Sequence, residues 1–222
     1  MAVDQMEFMK AGYTDAAMIQ YHYGIYTLDT EYATEEGADV LKVKSIDKAK
    51  AALKDAGYKG EKVVFLANTD TSSVSAMNQV MQDLLQKLGM TVEFVSCDYA
   101  TMAQRRQNKG PTDKGGWSLY LTGWTGNDVL DPAVNPMLRG SGLKGFPGWC
   151  TDPELERLRS EWAFATNEAD LKRLATAVQV QAFKTLPYIP MGSSRPLTAY
   201  RDSLTNVFPA PVGVYWGIDK TA

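Results

Sequence analysis

The chain has one histidine, two cysteines and no excess of basic residues, and these shortages exclude several kinds of chemistry. Cys97 and Cys150 lack CxxC spacing and have only His22 for company, so no zinc set can be assembled and no metal is expected. Two free thiols are expected there, with a disulfide the alternative in an oxidising compartment. A formal net charge of -3 leaves no electrostatic case for a nucleic-acid partner. The densest basic spot, Arg105-Arg106 with Lys109 and Lys114, is diluted by glutamine and glycine and reads as a solvated helix face.

No apolar run approaches the roughly 18 residues that span a bilayer, so membrane insertion is not expected. The N-terminal MAVDQMEFMKAGYTD has no basic segment followed by an apolar core and is not read as a signal peptide. Neither GxSxG nor GxxxxGK[ST] occurs, which removes a nucleophile elbow and a phosphate loop. A Ser-His-Asp site built on His22 is formally open but unsupported, and His22 is expected to be structural or exposed.

Hydrophobic content of 45% and charged content of 22% are those of a globular protein, and 222 residues suffice for one sizeable core or two small ones. Helical and strand patterns alternate, which argues for α/β layering. Ser45 caps a helix with Ile46, Ala49, Leu53 and Ala56 on one face, stopping at Gly57. Strand Val63 to Ala67 follows, then a helix capped by Ser73 with Met77, Met81, Leu84 and Leu85 at helical spacing. Thr91 to Ser96 alternates like a half-buried strand, and Asp98 opens a shorter helix to Gln107. Short connections favour parallel strands with covering helices.

Trp117 to Thr122 supplies a further strand, from whose C-terminal end hangs Gly123-Trp124-Thr125-Gly126 with Asn127, Asp128, Asp131 and Pro132. An indole and acids at the end of a strand make a ligand floor, flat and apolar with polar anchors at its edge. Farther on, Asp152-Pro153-Glu154 starts one helix and Asn167 caps another, with Leu171, Leu174, Val178 and Phe183 inward. Tyr188 to Met191 and Leu197 to Tyr200 read as short extended pieces. Trp117 and Trp162 sit on core patterns, whereas Trp124 and Trp149 lie in glycine-flanked loops and are the candidates to face a ligand. Asp128 and Asp131 could pair for glycoside hydrolysis, yet an Asp before Pro is more often a turn device.

Four segments resemble the family 5 extracellular solute-binding proteins, the dipeptide, oligopeptide and nickel class of ABC-importer receptors. They are KAKAALKDAGYKG (48–60), QDLLQKLGMTVEF (82–94), the Gly123 to Pro132 loop, and the run from Trp149 to Arg201 containing CTDPELERL and NEADLKRLATAVQVQAFKTLPYIPM. The resemblance implies an α/β, periplasmic-binding-protein-like C-terminal lobe (type II, cluster C) with a mixed sheet flanked by helices. It implies a lobe over 1–203 and a tail over 204–222 that returns to a preceding N-terminal lobe. The tail, with Tyr215 and Trp216, is then expected to be mobile or to pack on a neighbouring molecule.

The implied function is not enzymatic and uses no cofactor. A periplasmic receptor closes two lobes on a small polar solute, peptide-like, cationic or sugar-like, and hands it to an ABC permease. The ligand contacts it implies are Trp124, Thr125, Asn127, Asp128, Asp131, Trp149 and Asn68. Asn127 stands where dipeptide-binding members place an acid for the peptide's amino group. Asn68-Thr69-Asp70 stands where they place an arginine for its carboxylate, which disfavours a free dipeptide. A hydrolase using Asp128 and Asp131, or a stand-alone sensory domain, are the alternatives.

Overall fold

A computed structural model describes residues 1–195, 197–208, 210 and 213–221. The chain opens with helix α1 (Gln5–Gly12), strand β1 (Ile19–Gln20) and the short helix α2 (Asp39–Lys42). An alternating segment follows: α3 (Ile46–Asp55), β2 (Lys62–Asn68), α4 (Ser72–Lys87), β3 (Thr91–Cys97), α5 (Tyr99–Arg105) and β4 (Leu119–Tyr120). Helices α6 (Pro153–Phe164) and α7 (Glu168–Thr185) come next, then β5 (Ser193–Ser194), β6 (Leu204–Thr205) and β7 (Asp219–Lys220).

Local side-chain chemistry sets most of these boundaries. Ser45 Oγ accepts from Lys48 N at 3.3 Å, and Asp98 Oδ1 accepts from Thr101 N at 2.8 Å, satisfying amides that a first helical turn leaves unpaired. Asn167 Oδ1 does the same for Asp170 N at 2.9 Å. Helix α4 starts at Ser72 after Thr71, ahead of the cap expected at Ser73. Asn68 Oδ1 takes Thr71 N at 3.4 Å and Thr71 O takes Ser75 N at 2.8 Å, so the turn is already closed there.

Strands β3, β2 and β4 form a parallel sheet in that order, with β2 in the middle. Alternation along β2 sends Phe65 to one face, where it packs with Leu121 and the buried stripes of α1 and α4. Val64 and Leu66 go to the other, against Met102 of α5. Antiparallel pairs occur apart from this sheet, β1 with β5 and β6 with β7.

Strand β4 is shorter than the Trp117 to Thr122 run predicts, because a side chain replaces part of its ladder. Ser118 N donates to Val64 O at 2.9 Å, but Val64 N donates to Ser118 Oγ at 3.1 Å. The pieces at Tyr188 to Met191 and Leu197 to Tyr200, read as short and extended, carry no strand pairing. Pro187 and Pro190 offer no ladder donor, and the pairing passes to Ser193–Ser194.

A second core lies where α6 and α7 pack against 25–41, with Tyr26, Leu41, Leu138, Leu155, Val178 and Phe183 buried together. The turns and bends before α2 are held by side chains instead of a sheet. Gln179 accepts from Ile25 N at 3.0 Å and donates to Thr34 O and Glu36 O at 3.0 and 2.8 Å. Tyr26 donates to Ala175 O at 2.8 Å, and burial raises its phenol pKa well above the ordinary value. His22 is buried, as the structural reading expects; burial lowers its pKa against the opposing pull of Glu35.

Both cysteines are free thiols. Among the described residues no helix is long and apolar enough to cross a membrane. In the tail, Tyr215 and Trp216 are 81% and 77% exposed. Pro209, Pro211, Val212 and Ala222, which the expectation for the tail also covers, lie outside the described residues.

Candidate functional site

The site expected at the C-terminal end of the sheet is built on the chain leaving β4. Leu121 is buried and anchors the exit, after which Gly123 to Asn127 are exposed. Trp124 is 36% exposed, with one edge against Phe146 at a ring separation of 5.3 Å and an interplanar angle of 69°. A large apolar ring left partly open at the end of a parallel sheet is suited to contact with a small molecule.

The polar residues beside it build turns or stand exposed. Thr125 Oγ1 donates to Asp128 Oδ2 at 2.7 Å, and Asp128 N donates to Thr125 O at 3.0 Å, closing a 3-10 turn over Gly126–Val129. Asp131 Oδ1 accepts from Ala133 N and Val134 N at 2.7 and 3.0 Å, as an aspartate before a proline commonly does. Asn127 is exposed on the turn between them. Thr27 Oγ1 donates to Gly126 O at 2.7 Å, and Arg159 Nε donates to Pro132 O at 2.9 Å. The loop is thereby pinned at both ends to the second core.

Asn68 and Trp149 stand differently. Asn68 is 3% exposed, with its side chain on Thr71 N and its carbonyl accepting from Asn78 Nδ2 at 2.8 Å. It ends β2 and starts α4. Trp149 is half-buried, has φ of 46° and packs its ring on Trp117 at 5.5 Å. Trp117 in turn meets Tyr120 edge-on at 4.9 Å and donates from Nε1 to Arg106 O at 3.0 Å.

Arg106 departs from expectation. It does not lie on a solvated helix face: its guanidinium sits over the rings of Phe146 and Tyr120, at 5.3 and 5.6 Å from their centroids. Ring faces carry negative potential and draw the cation inward along its apolar stem. Phe146 carries a local signal, since Gly145-Phe146-Pro147-Gly148 has the same glycine-flanked aromatic character as the Trp124 loop. Arg106 has no comparable local signal, because its partners are distant in the chain.

The chain is similar to known proteins in sequence and in fold. The family described as bacterial extracellular solute-binding proteins, family 5 Middle, matches residues 1–145. The chain is 31% identical over 174 residues to a Sinorhizobium fredii protein named "Probable peptide ABC transporter periplasmic-binding protein y4tO", covering 78% of this chain and 33% of that one. It therefore spans about a third of the length of that relative. Among solved structures, the ABC transporter substrate binding protein CtaP from Listeria monocytogenes superposes with a TM-score of 0.72 at 17% identity, over 87% of this chain and 38% of the other. A dipeptide binding protein from Pseudoalteromonas sp. SM9913, in complex with Met-Leu, gives 0.63 at 20% identity, over 96% and 41%. These likenesses place the α/β layers within the periplasmic binding protein fold, and on the family match the chain belongs to the bacterial extracellular solute-binding proteins of family 5.

Proposed function

We propose that this chain supplies one face of the solute cleft of a periplasmic receptor that feeds an ABC importer, and that the solute is peptide-like. The observation that carries this reading is Trp124, left 36% exposed on a pinned loop at the C-terminal end of the parallel sheet. Trp124 walls the solute, and Asn127 with Asp128 hold its amino group or another polar head. Asp128 spends Oδ2 on Thr125, which fixes the carboxylate and keeps its other oxygen available. Thr125, Asp131, Asn68 and Trp149 shape the wall from behind.

Residues 1–203 act as the lobe, and 204–222 return to a part of the receptor outside this chain. The exposed Tyr215 and Trp216 support that role, since exposed aromatic pairs of this size commonly mark contact surfaces. Binding is the work of the site: Asp128 and Asp131 are engaged by turn backbone or by Thr125, and no nucleophile is assigned beside them.

Mass spectrometry of solute retained by the purified receptor tests the reading. Trp124→Ala is expected to reduce retention at least tenfold, the equivalent of about 1.4 kcal/mol, with the melting temperature shifted little because the ring is partly in solvent. Retention unchanged by Trp124→Ala would sink the proposal. So would turnover of a bound solute that stops in Asp128→Asn.

A further inference from the structure

Against Phe146, the ring that Trp124 meets, the protein keeps a half-buried positive charge set over aromatic faces. The Arg106 guanidinium lies over Phe146 and Tyr120. Its Nε and Nη1 are buried and have no hydrogen-bond partner among the described residues. A cation so placed is costly to desolvate, and the ring faces are the compensation the geometry provides. Tyr120 is fixed in this stack by donating to Pro147 O at 3.2 Å, which also holds the backbone next to Phe146.

Phe146 thus has Arg106 at a ring face and Trp124 at an edge-on contact, while remaining only partly buried itself. A ring already polarised by a cation attracts a second cation poorly. The two like charges would stand on either side of one ring and repel, with Nε and Nη1 of Arg106 shielded from water. An uncharged ring or alkyl group meets no such opposition and gains edge or face packing.

We infer that Phe146 is the second wall of the solute site beside Trp124, and that Arg106 behind it makes this wall accept uncharged aromatic or apolar solute groups and refuse cationic ones. The inference rests on the reading that Trp124 faces the solute. It divides the site by charge: a solute's positive group goes to Asn127 and Asp128, and its neutral side chain goes to the rings. Phe146 touches the solute, whereas Arg106 acts through Phe146 as a positioning and polarising residue.

The test uses the purified receptor that contains this chain and two probes of one shape, neutral benzamide and the benzamidinium cation, followed through the tryptophan indole N–H resonances. In Asp128→Asn, which removes the neighbouring acid's pull on the cation, benzamide is expected to bind at least fivefold more tightly. Arg106→Met, made in that background, should bring the two affinities within twofold of each other. Arg106→Lys should restore the preference, and Phe146→Leu should weaken benzamide at least threefold. Equal affinities in Asp128→Asn would overturn the inference without any change at Arg106. A preference that survives Arg106→Met while the Trp124 resonance still responds would overturn it and leave the Trp124 reading intact. A Trp124 resonance moved by neither probe would overturn both.

Discussion

Asp152→Ala is expected to lower the unfolding free energy by about 4 kcal/mol, from the loss of a helix cap and of hydrogen bonds to a buried charged group. The carboxylate is 4% exposed and serves two helices at once. Oδ1 accepts from Glu154 N and Leu155 N at 3.1 and 3.0 Å, capping α6. Oδ2 accepts from Gln181 Nε2 and Thr185 Oγ1, both at 3.0 Å, tying in the last turns of α7. Alanine would orphan the buried Leu155 N–H and cut the tie from α6 to Gln181 and Thr185 of α7. The backbone is equally constrained: a Cβ on Gly140 would stand 2.4 Å from Asp152 O, so only glycine allows this close pass.

The same residue predicts a pH dependence. Burial raises the Asp152 pKa, but the hydrogen bonds from Leu155, Gln181, Thr185 and Glu154 outweigh it and hold the carboxyl below its ordinary value. A folded pKa depressed below the unfolded one contributes stability above the unfolded value, about 3.9, that is lost as pH falls through the folded value. Asp152→Asn keeps the cap and removes the titration. Its deficit against the native protein should therefore be largest near neutrality and shrink below about pH 4. Urea unfolding of both proteins at pH 7 and pH 3 measures this, and a deficit equal at the two values would refute the assignment.

Gln179→Leu is expected to cost about 3 kcal/mol, because a near-isosteric apolar side chain leaves backbone groups unpaired. Gln179 is fully buried and is the only side chain that joins Ile25 N, Thr34 O and Glu36 O among the described residues. Ile25 N–H would be orphaned inside the second core, while Glu36 O, on an exposed residue, can turn to water. Hydrogen exchange should show the loss concentrated in 25–36, with β2 and β3 still protected. Uniform loss of protection across the sheet would mean that Gln179 holds the whole fold, contrary to this account.

The helix starts are legible in the chain because their signals are local. Ser45, Asp98, Asp152 and Asn167 each satisfy amides within a few residues, and each cap stands where the pattern of residues puts it. The strand at Val63 to Ala67 announced itself by continuous apolar character, as a central parallel strand does. Strand β4 is shorter than its pattern, since nothing in Trp117 to Thr122 reveals that Ser118 Oγ takes the place of a carbonyl. Glycine flanks mark Trp124 and Trp149 alike in the sequence, and only the fold separates the more exposed Trp124 from the half-buried Trp149.

What the sequence by itself determined is the order of helices and strands, the resemblance to family 5 and the loop that carries Trp124. Caps, periods and glycine positions act over a few residues, so they are readable along the chain. The tertiary structure alone decided that Trp149 turns to Trp117, that Asn68 is spent on α4, and that Arg106 lies between Tyr120 and Phe146. Those outcomes depend on which distant surfaces meet, and a cation's choice between water and an aromatic face is made only when the rings have been brought together.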